Sequence, residues 1–247
     1  MLNGICILPI IPMRKLKSDK SEMINQVLFG ETFKILEKND NWSRIKLFHD
    51  GYTGWIDNKQ YTGIQALKTE FNICNKKYCN ITINTTKQPL LMGSLVPKNK
   101  TLKNKLLIKS DVTFLSINNF QIWFLKIAKK YLNTPYMWGG RTPIGIDCSG
   151  YSQMVYRFFK LQLPRDANQQ AKVGKKISSI QKIKLGDLAF FNSNKLIDHV
   201  GIVLNNNTII HASGKVRIDK LDKTGIFNKE KGLYTHKLKL LRRVFNS

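Results

Sequence analysis

Residues 146–159 read Ile-Asp-Cys-Ser-Gly-Tyr-Ser-Gln-Met-Val-Tyr-Arg-Phe-Phe, and they place Cys148 on the first turn of a predicted helix. Tyr151, Val155 and Phe158 follow at the spacing of one apolar helical face. A helix N-terminus carries a partial positive charge and unsatisfied N–H groups, which both favour a thiolate. The stretch therefore predicts a reactive thiol at the start of a buried helix.

The sequence on either side of this helix predicts an α+β domain over residues 119–247. Apolar residues recur at helical spacing from Phe120 until Pro135, so a first helix is expected there. The Cys148 helix is expected to end near Phe159. Strand-like runs follow it at residues 187–192, 199–204, 208–212 and 235–245. Two helices followed by an antiparallel sheet make an α+β fold with the Cys148 helix packed on the sheet.

The N-terminal half predicts two small β-barrels. Residues 1–62 contain about five short strands, among them the period-two run at 42–47, and the Asp50-Gly51 dipeptide is a hairpin signal. Residues 63–118 are strand-like but weaker, which predicts a second, degenerate barrel. Its expected strands lie at residues 80–84, 89–93, 106–108 and 112–115.

The charge balance is strongly basic, with 41 Lys and Arg residues against 16 Asp and Glu residues and a net charge of +25. Such an excess can mean a polyanionic partner or a coding bias toward lysine. The lysines are dispersed from Lys15 to Lys239 and form no dense patch with aromatic residues. We therefore expect no specific nucleic-acid partner.

No apolar run is long enough to predict a membrane span. The apolar stretch at residues 5–11 is short, lacks a preceding basic residue and lacks a small-residue cleavage site, so it does not read as a signal peptide. We expect a cytoplasmic protein and a monomer; a misassigned start would make it periplasmic or secreted.

The four cysteines do not predict a disulfide scaffold in a chain of this length. Cys74 and Cys79 have no nearby histidine, so no metal site is expected there, and Cys6 reads as a small core residue. No metal or organic cofactor is expected.

Two histidines, His199 and His211, lie in neighbouring strand-like runs joined by an Asn-rich turn. Alternate residues of a strand share a face, so a hairpin makes the two imidazoles a direct or diagonal cross-strand pair. Gly201 leaves room on that face for the Cys148 helix. This arrangement predicts Cys148 as nucleophile, His199 as its base, and His211 as the residue that orients His199.

The competing interpretation is a buried structural cysteine with two unrelated histidines. A lone cysteine would favour it, but the helix-start position and two histidines on one face coincide here. His49 and His236 lie in polar surroundings, so we expect them to be solvated and outside the site.

Five short stretches surround these residues: 136–140 (YMWGG), 145–150 (GIDCSG), 163–166 (LPRD), 185–191 (LGDLAFF) and 198–203 (DHVGIV). Together they resemble the NlpC-type cell-wall peptidases, which are papain-like thiol enzymes that cut peptidoglycan stem peptides. Upstream, residues 21–31 and 50–56 resemble the first bacterial SH3-like domain of one subgroup, the γ-D-glutamyl-L-diamino-acid endopeptidases, also called dipeptidyl peptidase VI. The resemblance implies that both predicted barrels are SH3-like.

The resemblance also implies a substrate, a murein tripeptide or longer stem peptide with a free N-terminal L-Ala. Its ammonium would be held by Glu22, Tyr52 and Asp166. The other residues implied to contact substrate are Trp138, Asp147 and Ser149. Ala167 follows Asp166 where the subgroup often has a hydroxyl residue, which removes one hydrogen bond from the amine site.

Three functions are compatible with these features. The first is a murein-peptide recycling endopeptidase that cleaves the γ-D-Glu–diamino acid bond. The second is an exported hydrolase of intact wall, with the barrels as anchors. The third is a non-enzymatic module that binds wall or another polyanion.

Overall fold

The chain divides into two units, Met1–Ser116 and Ile117–Ser247, in the computed structural model. The structure describes residues 2–65, 70–83, 85–98, 119–192 and 196–245. Within these ranges no helix has both the length and the apolar character needed to cross a lipid bilayer. The division falls close to residue 119, where the sequence predicts its third domain to begin.

The N-terminal unit contains a seven-stranded sheet in the order β3-β2-β6-β5-β4-β1-β7. The alternation predicted at residues 42–47 is confirmed, because Ser43, Ile45 and Leu47 are buried and the residues between them are exposed. Cys6 lies in the core of this sheet, as predicted. The strands are β1 (Asn3–Cys6), β2 (Ile10–Arg14), β3 (Met23–Leu28), β4 (Thr32–Lys38), β5 (Trp42–Leu47), β6 (Thr53–Asp57) and β7 (Tyr61–Ile64).

Residues beyond β7 form two antiparallel pairs: β8 (Phe71–Ile73) with β11 (Leu95–Pro97), and β9 (Tyr78–Ile83) with β10 (Thr86–Leu91). Their apolar residues share a core with Ile5 and Phe29 of the first sheet region. The strands predicted at 106–108 and 112–115 lie outside the described residues. A second barrel, and the domain boundary at residue 62, therefore stay predictions.

The helices of the C-terminal unit are α1 (Phe120–Lys130), α2 (Cys148–Arg157) and α3 (Ala167–Gln170). The sequence predicts that α1 continues to Pro135, but it ends at Lys130. Asn133 adopts the left-handed conformation at φ 64°, and its N–H donates to the Val216 carbonyl at 2.9 Å. The chain leaves the helix early because its backbone pairs with a strand instead.

The predicted antiparallel sheet is present, with the order β14-β20-β15-β16-β17-β18-β19. Because β19 also pairs with β20, six of its strands close into a barrel, which the sequence analysis did not predict. Helix α2 packs on β16 and β17. The strands are β12 (Arg141–Thr142), β13 (Gly145–Ile146), β14 (Lys175–Ile177), β15 (Leu188–Asn192), β16 (Ile197–Asn205), β17 (Thr208–Ser213), β18 (Lys215–Leu221), β19 (Gly225–Asn228) and β20 (Leu233–Arg243).

Candidate active site

The start of α2 is fixed by the carboxylate of Asp147, the residue before Cys148. Asp147 Oδ1 accepts a hydrogen bond from the Gly150 N–H at 2.6 Å, and Oδ2 accepts one from the Gly139 N–H at 2.8 Å. The buried guanidinium of Arg165 donates to the same two oxygens at 3.0 and 2.5 Å. This bidentate pair and the helix cap hold the first turn of α2 in one position.

Cys148 is the first residue of α2 and is buried. Its Sγ lies 3.9 Å from the carbonyl oxygen of Asp198, the residue before His199. Burial, reinforced by Asp147, raises the pKa of Cys148 to about 12. The thiol is therefore neutral at pH 7 and needs a base before it can act as a nucleophile.

His199 and His211 are brought together as predicted. His199 Nε2 lies 2.8 Å from His211 Nδ1, and both side chains are buried. The register pairs Gly201 with His211, so the two imidazoles form the diagonal version of the predicted pair. A Cβ at Gly201 would lie 2.9 Å from His211 Cβ, so the glycine makes room for this ring.

A carboxylate that the sequence analysis missed completes the chain of contacts. His211 Nε2 lies 3.0 Å from Asp219 Oδ2, and Arg217 donates to both oxygens of Asp219, at 2.7 and 3.0 Å. Burial acts to raise the pKa of Asp219, but hydrogen bonds from His211 and Arg217 outweigh it and lower the pKa. Asp219 is thus ionised at neutral pH.

The ionised carboxylate decides which nitrogen of each imidazole carries a proton. Since a carboxylate only accepts hydrogen bonds, we assign the proton of His211 to Nε2, which leaves Nδ1 as an acceptor. His199 then donates from Nε2, and its Nδ1 keeps the lone pair. Burial, together with His211 and His236, lowers the pKa of His199 well below its usual value. His199 is therefore neutral, with Nδ1 left to take the proton of the thiol.

The prediction that His236 lies outside the site is wrong. Its ring stacks on that of His199, with centroids 4.2 Å apart, and burial lowers its pKa to about 4. The other supposedly solvated histidine, His49, has a side chain only 20% exposed and lies 3.3 Å from Asp50. Both residues have polar neighbours in sequence, but the fold covers them.

The ring nitrogens of His199, His211 and His236 lie within 4.8 Å of one another, a grouping that could hold a metal ion. Tetrahedral zinc needs its ligand nitrogens about 3.3 Å apart. Here two of the rings are hydrogen-bonded to each other and the third is stacked on one of them. A metal would have to displace the shared proton, so the arrangement as it stands suits proton transfer.

The predicted substrate-binding residues of the C-terminal unit occupy different surroundings. Trp138 is 61% exposed. Ser149 is buried and its Oγ accepts from Arg165 Nη1 at 3.0 Å, beside Asp147. Asp166 occupies the N-cap position of α3. Asp147 and Ser149 thus have protein partners around Cys148, and their contact with substrate stays a prediction.

The remaining two predicted amine ligands belong to the N-terminal unit. Glu22 Oε2 lies 3.3 Å from Lys15 Nζ. Tyr52 packs, partly buried, against the core of the N-terminal sheet. Their role in binding an ammonium group likewise stays a prediction.

Tyr136 is a neighbour of the thiol to which the sequence analysis gave no role. Burial, reinforced electrostatically by Cys148 and Asp147, raises its pKa well above the usual value. Its hydroxyl therefore stays protonated and can only donate or accept a neutral hydrogen bond there. The YMWGG stretch that contains it was the available signal.

Two family profiles match the chain. The NlpC/P60 family matches residues 133–232, which include Cys148, His199, His211 and Asp219. The bacterial dipeptidyl-peptidase Sh3 domain matches residues 13–60, within the N-terminal sheet.

The chain is 25% identical to a γ-D-glutamyl-L-lysine dipeptidyl-peptidase of Bacillus cereus, over 79% of this chain and 68% of the relative. It is 43% identical to the murein DD-endopeptidase MepS/murein LD-carboxypeptidase of Escherichia coli K12, over 32% of this chain and 42% of that protein. A crystal structure of an NlpC/P60 family protein from Bacillus cereus superposes with a TM-score of 0.79 at 18% identity, covering 98% of this chain and 99% of the other. The chain therefore carries a cysteine peptidase domain of the NlpC/P60 family, preceded in the sequence by a bacterial SH3 domain.

Proposed function

We propose that this protein hydrolyses the bond between γ-D-Glu and the diamino acid in murein stem peptides with a free N-terminal L-Ala. The chain of contacts from Asp219 through His211 to His199, beside a cysteine at a helix start, is the observation that carries the proposal. It supplies a base with a defined tautomer, and the residue before that base lies with its carbonyl oxygen 3.9 Å from the neutral thiol. The relative named for the γ-D-glutamyl-L-lysine bond supports this choice of bond.

The reaction begins when His199 Nδ1 takes the thiol proton as Cys148 Sγ attacks the γ-carbonyl carbon of D-Glu. The backbone N–H of Cys148 is our candidate donor to the oxyanion of the tetrahedral intermediate. His199 then returns the proton to the departing amine of the diamino acid, which leaves a thioester on Cys148. Water, deprotonated by His199, attacks the thioester, releases L-Ala-γ-D-Glu and restores the thiol.

His211 and Asp219 act on this cycle through His199. When His199 is positively charged, its Nε2–H still donates to His211, and Asp219 balances the charge through the second imidazole. The two residues thus orient the base and stabilise its protonated form. Neither touches the reacting carbon.

Recognition of the free amine is assigned to Glu22, Tyr52 and Asp166 on the family resemblance. When an N-acylated analogue binds, the carboxylates that pair with the ammonium are left desolvated and without that ammonium. A site of this kind therefore rejects such an analogue by a large factor. We place the activity in cytoplasmic recycling, because a free L-Ala end arises once a stem peptide has left its sugar.

The test compares L-Ala-γ-D-Glu-L-Lys with its N-acetylated form, followed by mass spectrometry of the products. We expect kcat/KM to be at least about 100-fold higher for the free peptide than for the N-acetylated peptide. Glu22→Gln should reduce this ratio, chiefly by raising KM for the free peptide. Absence of cleavage of both peptides would refute the proposed bond.

Equal cleavage of the two peptides would favour the second candidate, a hydrolase of intact wall. The 43% identity between part of this chain and a protein named as a murein DD-endopeptidase is the observation in its favour. In that case Glu22 and Asp166 are not amine ligands, and Glu22→Gln leaves both rates unchanged.

A further inference from the structure

A β-bulge lies immediately before the catalytic base. Strand β15 pairs Phe191 with His199 and then Asn192 with Ile197, so Asp198 is the extra residue between them. A bulge turns the side chain of its extra residue away from the alternation of the strand, and bulges are frequent next to active sites. Here it lets Asp198 share a surface with the adjacent His199.

A second bulge lies next to the ring that stacks on the base. Strands β19 and β20 pair Ile226 with His236 and then Phe227 with Tyr234, so Thr235 is the extra residue. The two bulges thus adjoin the two stacked imidazoles: Asp198 precedes His199, and Thr235 precedes His236.

Both extra residues line one cavity of about 320 Å³. The described residues that line it are Asn192, Asp198, His199, Thr235 and His236. The catalytic base therefore forms part of the wall, and the two bulges supply polar side chains on either side of it.

The chemistry of this wall suits a cation. Among the described residues of this lining, Asp198 is the one acid, and none is a lysine or an arginine. Burial lowers the pKa of His236 to about 4, so this ring is neutral at pH 7 and does not repel a positive charge. Asn192 and Thr235 add neutral oxygens. An ammonium group, with three N–H donors, matches such a set of oxygens.

The reaction itself decides which part of the substrate lies here. His199 protonates the departing amine, so the α-nitrogen of the diamino acid is at His199 when the bond breaks. The side chain, attached to the carbon next to that nitrogen, is then close to His199, which also lines the cavity. We propose that this bulge-built cavity binds the side-chain ammonium of the diamino acid leaving group, with Asp198 as its counter-ion.

This inference rests on the proposed function, and the experiment separates the two. The protein is given L-Ala-γ-D-Glu joined to L-Lys, to meso-diaminopimelate or to L-norleucine, which lacks the ammonium. We expect kcat/KM for one or both ammonium-bearing peptides to exceed that for norleucine by about tenfold. The faster of the two identifies the source of the ammonium.

Asp198→Asn is expected to reduce that preference to within about threefold, while norleucine peptide turnover stays near the wild-type rate. Asp222→Asn, at a half-buried carboxylate elsewhere on the barrel, is the matched control and should leave the preference intact. Equal rates for all three peptides, or an undiminished preference in Asp198→Asn, would overturn the inference. If no peptide is cleaved, the proposed function fails and this inference fails with it.

Discussion

Both units carry a seven-stranded antiparallel sheet, and in both units a histidine lies next to carboxylates. In the N-terminal unit, Nε2 of His49 lies 3.3 Å from Asp50 and 3.8 Å from Glu31, so one ring nitrogen meets two acids. In the C-terminal unit, Asp219 and His199 lie at opposite nitrogens of His211. The first arrangement ends at one ring nitrogen, whereas in the second the ring of His211 connects a carboxylate to another imidazole.

Two glycines, one from each sheet, differ in the space around them. A Cβ added at Gly63 would meet nothing within 4 Å, whereas one at Gly201 would lie 2.6 Å from Ile209 Cδ1 and 2.9 Å from His211 Cβ. The absence of a side chain at Gly201 therefore leaves space for His211 in the C-terminal sheet. A seven-stranded antiparallel sheet can therefore carry an apolar core or a functional site, depending on which side chains lie on one of its faces.

Apart from loss of the nucleophile itself, the largest effect is expected from the charge of Asp219, at the end of the C-terminal chain of contacts. Asp219→Asn keeps the shape but removes the negative charge that stabilises protonated His199 through His211. We predict a fall in kcat of about 10- to 100-fold with little change in KM.

The matched change in the N-terminal sheet is Asp57→Asn, since Asp57 caps a turn through a single backbone N–H at 2.8 Å and asparagine caps equally well. Steady-state kinetics of the two purified variants should show loss of kcat in the first and wild-type kinetics in the second. An unchanged kcat in Asp219→Asn would mean that the charge of Asp219 does not stabilise protonated His199 through His211.

A smaller effect, on the free energy of unfolding, is expected when alanine replaces Gly201 or Gly63. Gly201→Ala forces a methyl group against His211 and Ile209, so we expect a loss of roughly 1–3 kcal/mol in the free energy of unfolding. Gly63→Ala has open space and should be neutral or slightly stabilising. Urea denaturation of both variants measures this, and equal stabilities would contradict the close packing at Gly201.

The smallest effect concerns acid stability. The pKa of His236 falls from 6.5 to about 4 on folding, so protonation favours the unfolded chain. The stability that neutral His236 contributes is fully present above pH 6.5 and is lost as pH falls toward 4.

His236→Phe removes this proton linkage. Urea midpoints measured at about pH 7.5 and about pH 4.5 should therefore fall less in the variant than in the wild-type protein. Parallel falls in the two proteins would show that His236 titrates alike in the folded and unfolded chains.

Two predictions that depend on local sequence agree with the structure. Apolar spacing located α2, and alternation across an Asn-rich turn located the His199–His211 pair. Asp219 was missed because Lys215–Leu221 carries charges at three of its seven positions beyond Asp219 itself and does not alternate clearly. The barrel closure and the stacking of His236 depend on the pairing of β19 with β20, which no local pattern encodes.

The most direct test compares cysteines from the two units. L-Ala-γ-D-Glu-L-Lys is incubated with the wild-type protein, Cys148→Ala, and Cys79→Ala, whose sulfur lies 3.4 Å from Cys74 in the N-terminal unit. Release of L-Ala-γ-D-Glu, followed by mass spectrometry, should be the same for wild type and Cys79→Ala and at least about a thousandfold slower for Cys148→Ala. Release by Cys148→Ala at the wild-type rate would contradict a thioester mechanism at this residue.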